Sequence, residues 1–180
     1  STSESRTFVH ELIHGVTSDY MNNFIDRSTN EVDWSNPALN QNPRLAKDVE
    51  ALVNVYELYD KHVKETYKEE YETFYKKWNT YKENKTRAMN NLPALPVDKF
   101  TPRERAVFYP TVNLKEFLAV SLDGNVQMLD EAKKVKFSGK INILDKFKKV
   151  LGRILDTISK DLGGNLEKGS TLANAILTTN

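Results

Sequence analysis

The sequence predicts a mainly α-helical protein, and three stretches carry that prediction. Residues 44–89 contain neither Gly nor Pro, and Val49, Leu52, Tyr56, Tyr59, Val63, Tyr67, Tyr71, Phe74, Trp78 and Tyr81 recur every three or four positions, the repeat of one helix face. Residues 143–162 set Leu144, Phe147, Val150, Leu151, Ile154, Leu155, Ile158 and Leu162 against Lys146, Lys148, Lys149 and Arg153, an amphipathic pattern of the same period. Residues 7–15 are short but informative, because Phe8, Val9, Leu12 and Ile13 supply an apolar face to a run that also holds His-Glu-x-x-His.

In that run His10 and His14 stand four residues apart, about one helical turn, so both imidazoles share a face and can address one metal ion. Glu11 sits beside them. A carboxylate there can take a proton from a metal-bound water as it attacks a carbonyl, the chemistry of a zinc peptidase. The plainer account is an amphipathic helix with two structural histidines. A third ligand separates the two, since a catalytic zinc takes three protein ligands and keeps one position open.

Among candidates for that ligand, His62 lies in a highly charged stretch and reads as a solvated residue, and Asp19 falls one place early for the short motif in which an Asp follows the second His. Glu116 is better placed. It opens a second helical pattern that Asn113 can cap, with Leu114, Phe117, Leu118 and Leu122 on the buried side.

Together, His-Glu-x-x-His at 10–14 and Asn113-x-x-Glu116-Phe117-x-Ala119 resemble the gluzincin zinc metallopeptidases, in particular the catalytic domain of anthrax toxin lethal factor and similar domains of large phage proteins. The resemblance covers residues 5–25 and 105–125. It implies that His10, His14 and Glu116 bind Zn2+, that Glu11 is the general base, and that Tyr109, seven residues before Glu116, helps to stabilise the oxyanion. The physical reading agrees, because a phenol can donate a hydrogen bond to developing negative charge. One position departs from the family, which commonly carries a second Glu four residues after the ligand; Val120 stands there. Outer-shell carboxylates typically change metal affinity or activity about 10- to 100-fold, so Val120 implies a weakened site unless Asp19 or a backbone carbonyl substitutes.

A chain of 180 residues fits one domain, or a small domain with an extension. With 26 basic and 25 acidic residues the formal charge is +1, which leaves no global field to attract nucleic acid or an anionic membrane. There is no cysteine, so disulfides and thiolate zinc sites are excluded. No run has the length of a membrane span, and the start lacks the apolar core of a secretory signal, so a soluble protein is expected. The metal helix begins almost at once, whereas zincin domains place a small sheet before it. The expectation is a fragment of a longer polypeptide, with that upstream sheet largely missing, and the absence of an initiating Met agrees with processing. Peptide binding by strand addition then loses its template.

Residues 20–43 read as the end of the metal helix and a loop, bounded by Pro37 and Pro43, that pins itself to the core with Trp34; an exposed Trp34 lining a substrate cleft is the alternative. Unbroken, the 44–89 stretch would reach about 70 Å, so it either bends near 64–68 or projects. Glu65, Glu69, Glu70, Glu72 and Glu83 neutralise the lysines beside its aromatic stripe, which argues for a packed or partner-binding face over a base-stacking platform. Pro93, Pro96, Pro102 and Pro110 mark an irregular connection, within which Thr101-Pro102-Arg103-Glu104 resembles a helix cap. Further stops fall at Asp123-Gly124-Asn125, Ser138-Gly139 and Gly163-Gly164, with a last short helix at 171–177. The 143–162 helix is expected to pack on the long one.

The expected organisation is a zincin-like metallopeptidase domain at 1–135, carrying a helical insertion at 44–92, followed by a C-terminal helical extension at 136–180. The expected activity is that of a zinc metalloendopeptidase acting on a protein or peptide, with the 44–89 arm docking other chains or covering the cleft. The resemblance places it in a virion or phage polyprotein. A structural or cargo module derived from a peptidase is the alternative, and nucleic acid is not an expected partner.

Overall fold

The computed structural model describes residues 21–161. Side-chain caps set where its helices start. Asn36 accepts from the Ala38 N–H and opens α1 (Pro37–Asn40); Asn42 accepts from the Leu45 N–H at 3.1 Å and opens α2 (Pro43–Thr66). Both helices begin with Pro, whose missing N–H is not needed in a first turn. Along α2 the apolar repeat buries Leu45, Val49, Leu52, Val55, Tyr59 and Val63.

The helix breaks at Tyr67, where φ −122° and ψ 51° leave helical space, and α3 (Lys68–Met89) starts at the next residue. Of the two alternatives, a bend near 64–68 or a projecting arm, the chain takes the bend. It is sharp: the Tyr71 hydroxyl donates to Asp60 Oδ1 at 2.8 Å, whereas eleven residues of straight helix would separate the two by about 16 Å. The aromatic stripe turns inward. Fully buried Phe74 lies against Tyr75, Trp78, Phe100 and Phe108, so the face that could have stacked on bases is occupied by the chain's own side chains.

Between α3 and the next regular helix the chain is irregular but firmly tied. The Glu104 N–H donates to Thr101 Oγ1 at 3.1 Å, and the Thr101 N–H donates back to Glu104 Oε1 at 2.8 Å, a reciprocal cap at the expected place. A π-helical turn, Glu104–Phe108, follows and runs straight into a 3-10 turn, Tyr109–Thr111. A wide turn feeding a tight one breaks the regular hydrogen-bond ladder. Tyrosine hydroxyls fill in, Tyr59 donating to the Val107 carbonyl at 2.8 Å and Tyr56 to the Thr111 carbonyl at 2.7 Å.

Asn113 caps α4 (Leu114–Leu122), which buries Leu114, Phe117, Leu118 and Leu122 as its pattern predicts. Gly124, at φ 68°, turns the chain into α5 (Val126–Lys133), capped by Asn125. A short antiparallel pair, β1 (Lys136–Ser138) and β2 (Ile141–Asn142), turns through Gly139 at φ 55° and leads into α6 (Ile143–Asp161). As expected, α6 packs along α2, burying Phe147, Val150, Leu151, Ile154 and Leu155 in the core that also holds Phe24, Leu52, Tyr59 and Phe117. The fold is thus mainly α-helical, and α2 is its spine. Among the described residues no helix is long and apolar enough to cross a membrane.

Trp34 departs from its expected role. It is 48% exposed, while Phe24, Ile25 and Leu39 do the anchoring. The reason is local. Ile25 and Val32 form an antiparallel bridge, Asp33 Oδ1 accepts from Ser35, and α1 starts two residues later, so the backbone around Trp34 is settled by its neighbours and the indole faces outward.

Candidate functional site

Two of the residues singled out by the sequence meet in the structure. Tyr109 opens the 3-10 turn and Glu116 lies in the first turn of α4; between them Asn113 is fully extended, at φ −168° and ψ 167°. That one extended residue reverses the chain. Its side chain accepts from the Glu116 N–H at 2.9 Å, which fixes the start of the helix and hence the root of the Glu116 side chain. The Tyr109 ring stands edge-on to Trp78, with centroids 5.5 Å apart, and the Glu116 carboxyl lies near enough to act on its hydroxyl. Burial, then the charge of Glu116 and the nearness of its carboxyl, push the phenol up to about 12. It stays protonated throughout the neutral range and remains a donor.

The frame around this pair is built by α2 and α3. Tyr56 holds the Thr111 carbonyl from one side, and the Tyr75 hydroxyl meets Thr111 Oγ1 at 2.8 Å from the other. Thr111 in turn donates to the Phe108 carbonyl at 2.6 Å. Tyr109 therefore rests on a turn held at both ends, the kind of support that keeps a donor aimed.

His10, Glu11 and His14 lie outside the described residues, as does Asp19. Among the described residues no group of three or more His, Asp or Glu is placed to hold a metal ion. Glu116 has the chemistry of one ligand: it is half-buried, and among the described residues it forms no salt bridge with a lysine or arginine. Val120, one turn further along α4, is partly buried against the hydrophobic core.

His62 is not the solvated residue its charged surroundings suggest. Its side chain is 19% exposed, and Nε2 lies 3.0 Å from Glu131 Oε2. Glu131 is buried and also accepts from the Tyr67 hydroxyl at 2.6 Å and from Lys134 Nζ at 2.8 Å. Burial works to raise its pKa, but hydrogen bonds from Lys134, Tyr67 and His62 outweigh it and the net shift is downward. This cluster ties the bend of the long helix to α5. Sixty-nine residues separate His62 from Glu131, and no local pattern announces the pairing.

A cleft of about 360 Å³ beside the site gives the exposed Trp34 its alternative role, that of lining a cleft. Trp34, Val53, Val112 and Leu114 line it, together with Glu31 and Glu57, and its wall includes Asn113 and Tyr56 from the frame just described. The available signal was a Trp in a stretch rich in turn-forming Asp, Ser and Asn, where a packed position is least assured.

Compared with protein-family models, with curated proteins and with solved structures, the chain matches none of them.

Proposed function

We propose that the chain is a zinc-dependent peptidase of the His-Glu-x-x-His plus Glu type. The observation that supports this best is that Tyr109 lies close to Glu116 at an Asn113-capped helix start, the two residues that the resemblance of the sequence implies for the second half of such a site. His10 and His14, with Glu116, would hold the ion. Bound zinc would polarise a peptide carbonyl and acidify a water. Glu11 would act as the general base that accepts the proton of the attacking water and passes it to the leaving amine. Tyr109, a donor kept protonated by its surroundings, would direct its hydroxyl at the carbonyl oxygen as negative charge grows there. A protein or peptide is the substrate class, and a virion or phage polyprotein is the setting the resemblance suggests.

The test compares the unaltered protein with Glu11→Gln in parallel zinc and cleavage assays. The peptidase reading expects equal zinc content and loss of cleavage, and equal residual cleavage in both proteins would remove it. Val120 favours a second reading, a structural module descended from a peptidase. That reading expects zinc without turnover in the unaltered protein.

A further inference from the structure

Beside the frame that carries Tyr109 and Glu116, the cleft at Trp34 combines three properties. Part of its wall is apolar, from Trp34, Val53, Val112 and Leu114, and the rest is polar, including Thr29, Asn30 and Asn113. Its charges are of one sign only, from Glu31 and Glu57, and no lysine or arginine lines it. Both carboxylates are exposed, and neither forms a salt bridge among the described residues. The cleft is also prepared. Trp34 is 48% exposed on a segment held by the Ile25–Val32 bridge and by Asp33, so a large aromatic face is presented to solvent from a fixed backbone.

We propose that this cleft is the subsite for a cationic side chain, arginine or lysine, of a peptide substrate, an inference that rests on the peptidase reading above. About 360 Å³ is at the small end for ligand sites and suits one long side chain. The methylene stem would lie on the valines and Leu114, and the cation would lie between the carboxylates and over the indole face. Charge selects this occupant over the others. An acidic side chain would be repelled by Glu31 and Glu57, and a purely apolar one would strip water from both carboxylates without replacing it. The connection to the chemistry is direct in the chain: Asn113, which caps the Glu116 helix, and Tyr56, which holds the Thr111 carbonyl, both belong to the wall of the cleft.

The test uses the full chain and a readout that needs no hydrolysis. The indole N–H resonance of Trp34 is followed by NMR as N-acetyl-arginine methylamide, or its neutral citrulline analogue, is added at low salt. The arginine probe is expected to shift Trp34, with Trp78 as internal control, and to bind about fivefold or more tightly than citrulline. The Glu31→Gln/Glu57→Gln double variant should abolish that preference while the Trp78 resonance stays in place. Equal response to the two probes, or no movement of Trp34, overturns the subsite. A chain that prefers arginine here but cleaves no peptide upholds the cationic subsite and overturns the peptidase reading alone. One that cleaves peptides without preferring arginine overturns the subsite alone.

Discussion

The hydroxyl of Tyr59 donates a 2.8 Å hydrogen bond to the carbonyl of Val107, and neither residue reaches solvent to any useful extent. This bond joins the middle of α2 to the wide turn that delivers Tyr109. It makes the position of a candidate catalytic group depend on a core tyrosine.

Replacing Tyr59 by Phe leaves the Val107 carbonyl buried without this partner. A loss of about 1–3 kcal/mol is expected in urea unfolding, with an unchanged dependence on denaturant. Tyr56→Phe should cost less, because Tyr56 is only half-buried and water can replace its hydroxyl at Thr111. Equal stability of Tyr59→Phe and the unaltered protein would mean that the carbonyl finds another donor.

Tyr109 and Glu116 lie close together, yet their proposed roles differ, and substitution separates them. Glu116→Gln should lower zinc content after dialysis, since a neutral amide is a poor ligand for this ion. Tyr109→Phe should retain zinc and KM while kcat falls by about 100-fold or more, the usual effect of losing one oxyanion donor. Loss of zinc in Tyr109→Phe would instead assign the phenol to positioning Glu116.

Asn113→Ala removes the acceptor of the Glu116 N–H and should cost about 1 kcal/mol of stability. Zinc affinity should fall with it, because the first turn of α4 carries the proposed ligand. Asn113→Asp caps equally well and is expected to restore both properties. Thermal unfolding and zinc titration of the two variants check this.

Acid stability should depend on Glu131. Its native pKa lies below the ordinary 4.5, burial opposing and the bonds from Lys134, Tyr67 and His62 prevailing. A depressed carboxyl stabilises the fold above its unfolded pKa, and the contribution is lost as pH falls through the native value. Glu131→Gln should therefore lower Tm at neutral pH, and the gap from the unaltered protein should narrow as pH drops below 4.5. A gap that does not change between neutral and strongly acidic pH would show that the carboxylate charge contributes nothing.

Local chemistry made much of this fold legible. Thr101-Pro102-Arg103-Glu104 and Asn113 start their elements where their side chains predict, because a cap is a contract between residues three apart. The seven-residue spacing of Tyr109 and Glu116 was singled out by the family resemblance, and the tight turn and extended Asn113 that bring the two close were not part of that reading. By contrast, helical periodicity identified Tyr56, Tyr59 and Tyr75 as inward-facing without indicating that their hydroxyls would hold a broken turn. The same charged composition that suggested a solvated His62 concealed its contact with Glu131.

From the sequence alone came the helical class, the amphipathic α6, the bend in the long helix and the motif at His10, Glu11 and His14. Tertiary structure decided that the aromatic stripe of α3 closes on Phe100 and Phe108, that Trp34 faces outward, and that Tyr109 is supported from two helices. The division has one physical cause. Periodicity and capping are interactions within a few residues, whereas the destination of a hydroxyl, an indole or a buried carboxylate depends on which distant segment supplies the group opposite, and that is settled only when the helices pack.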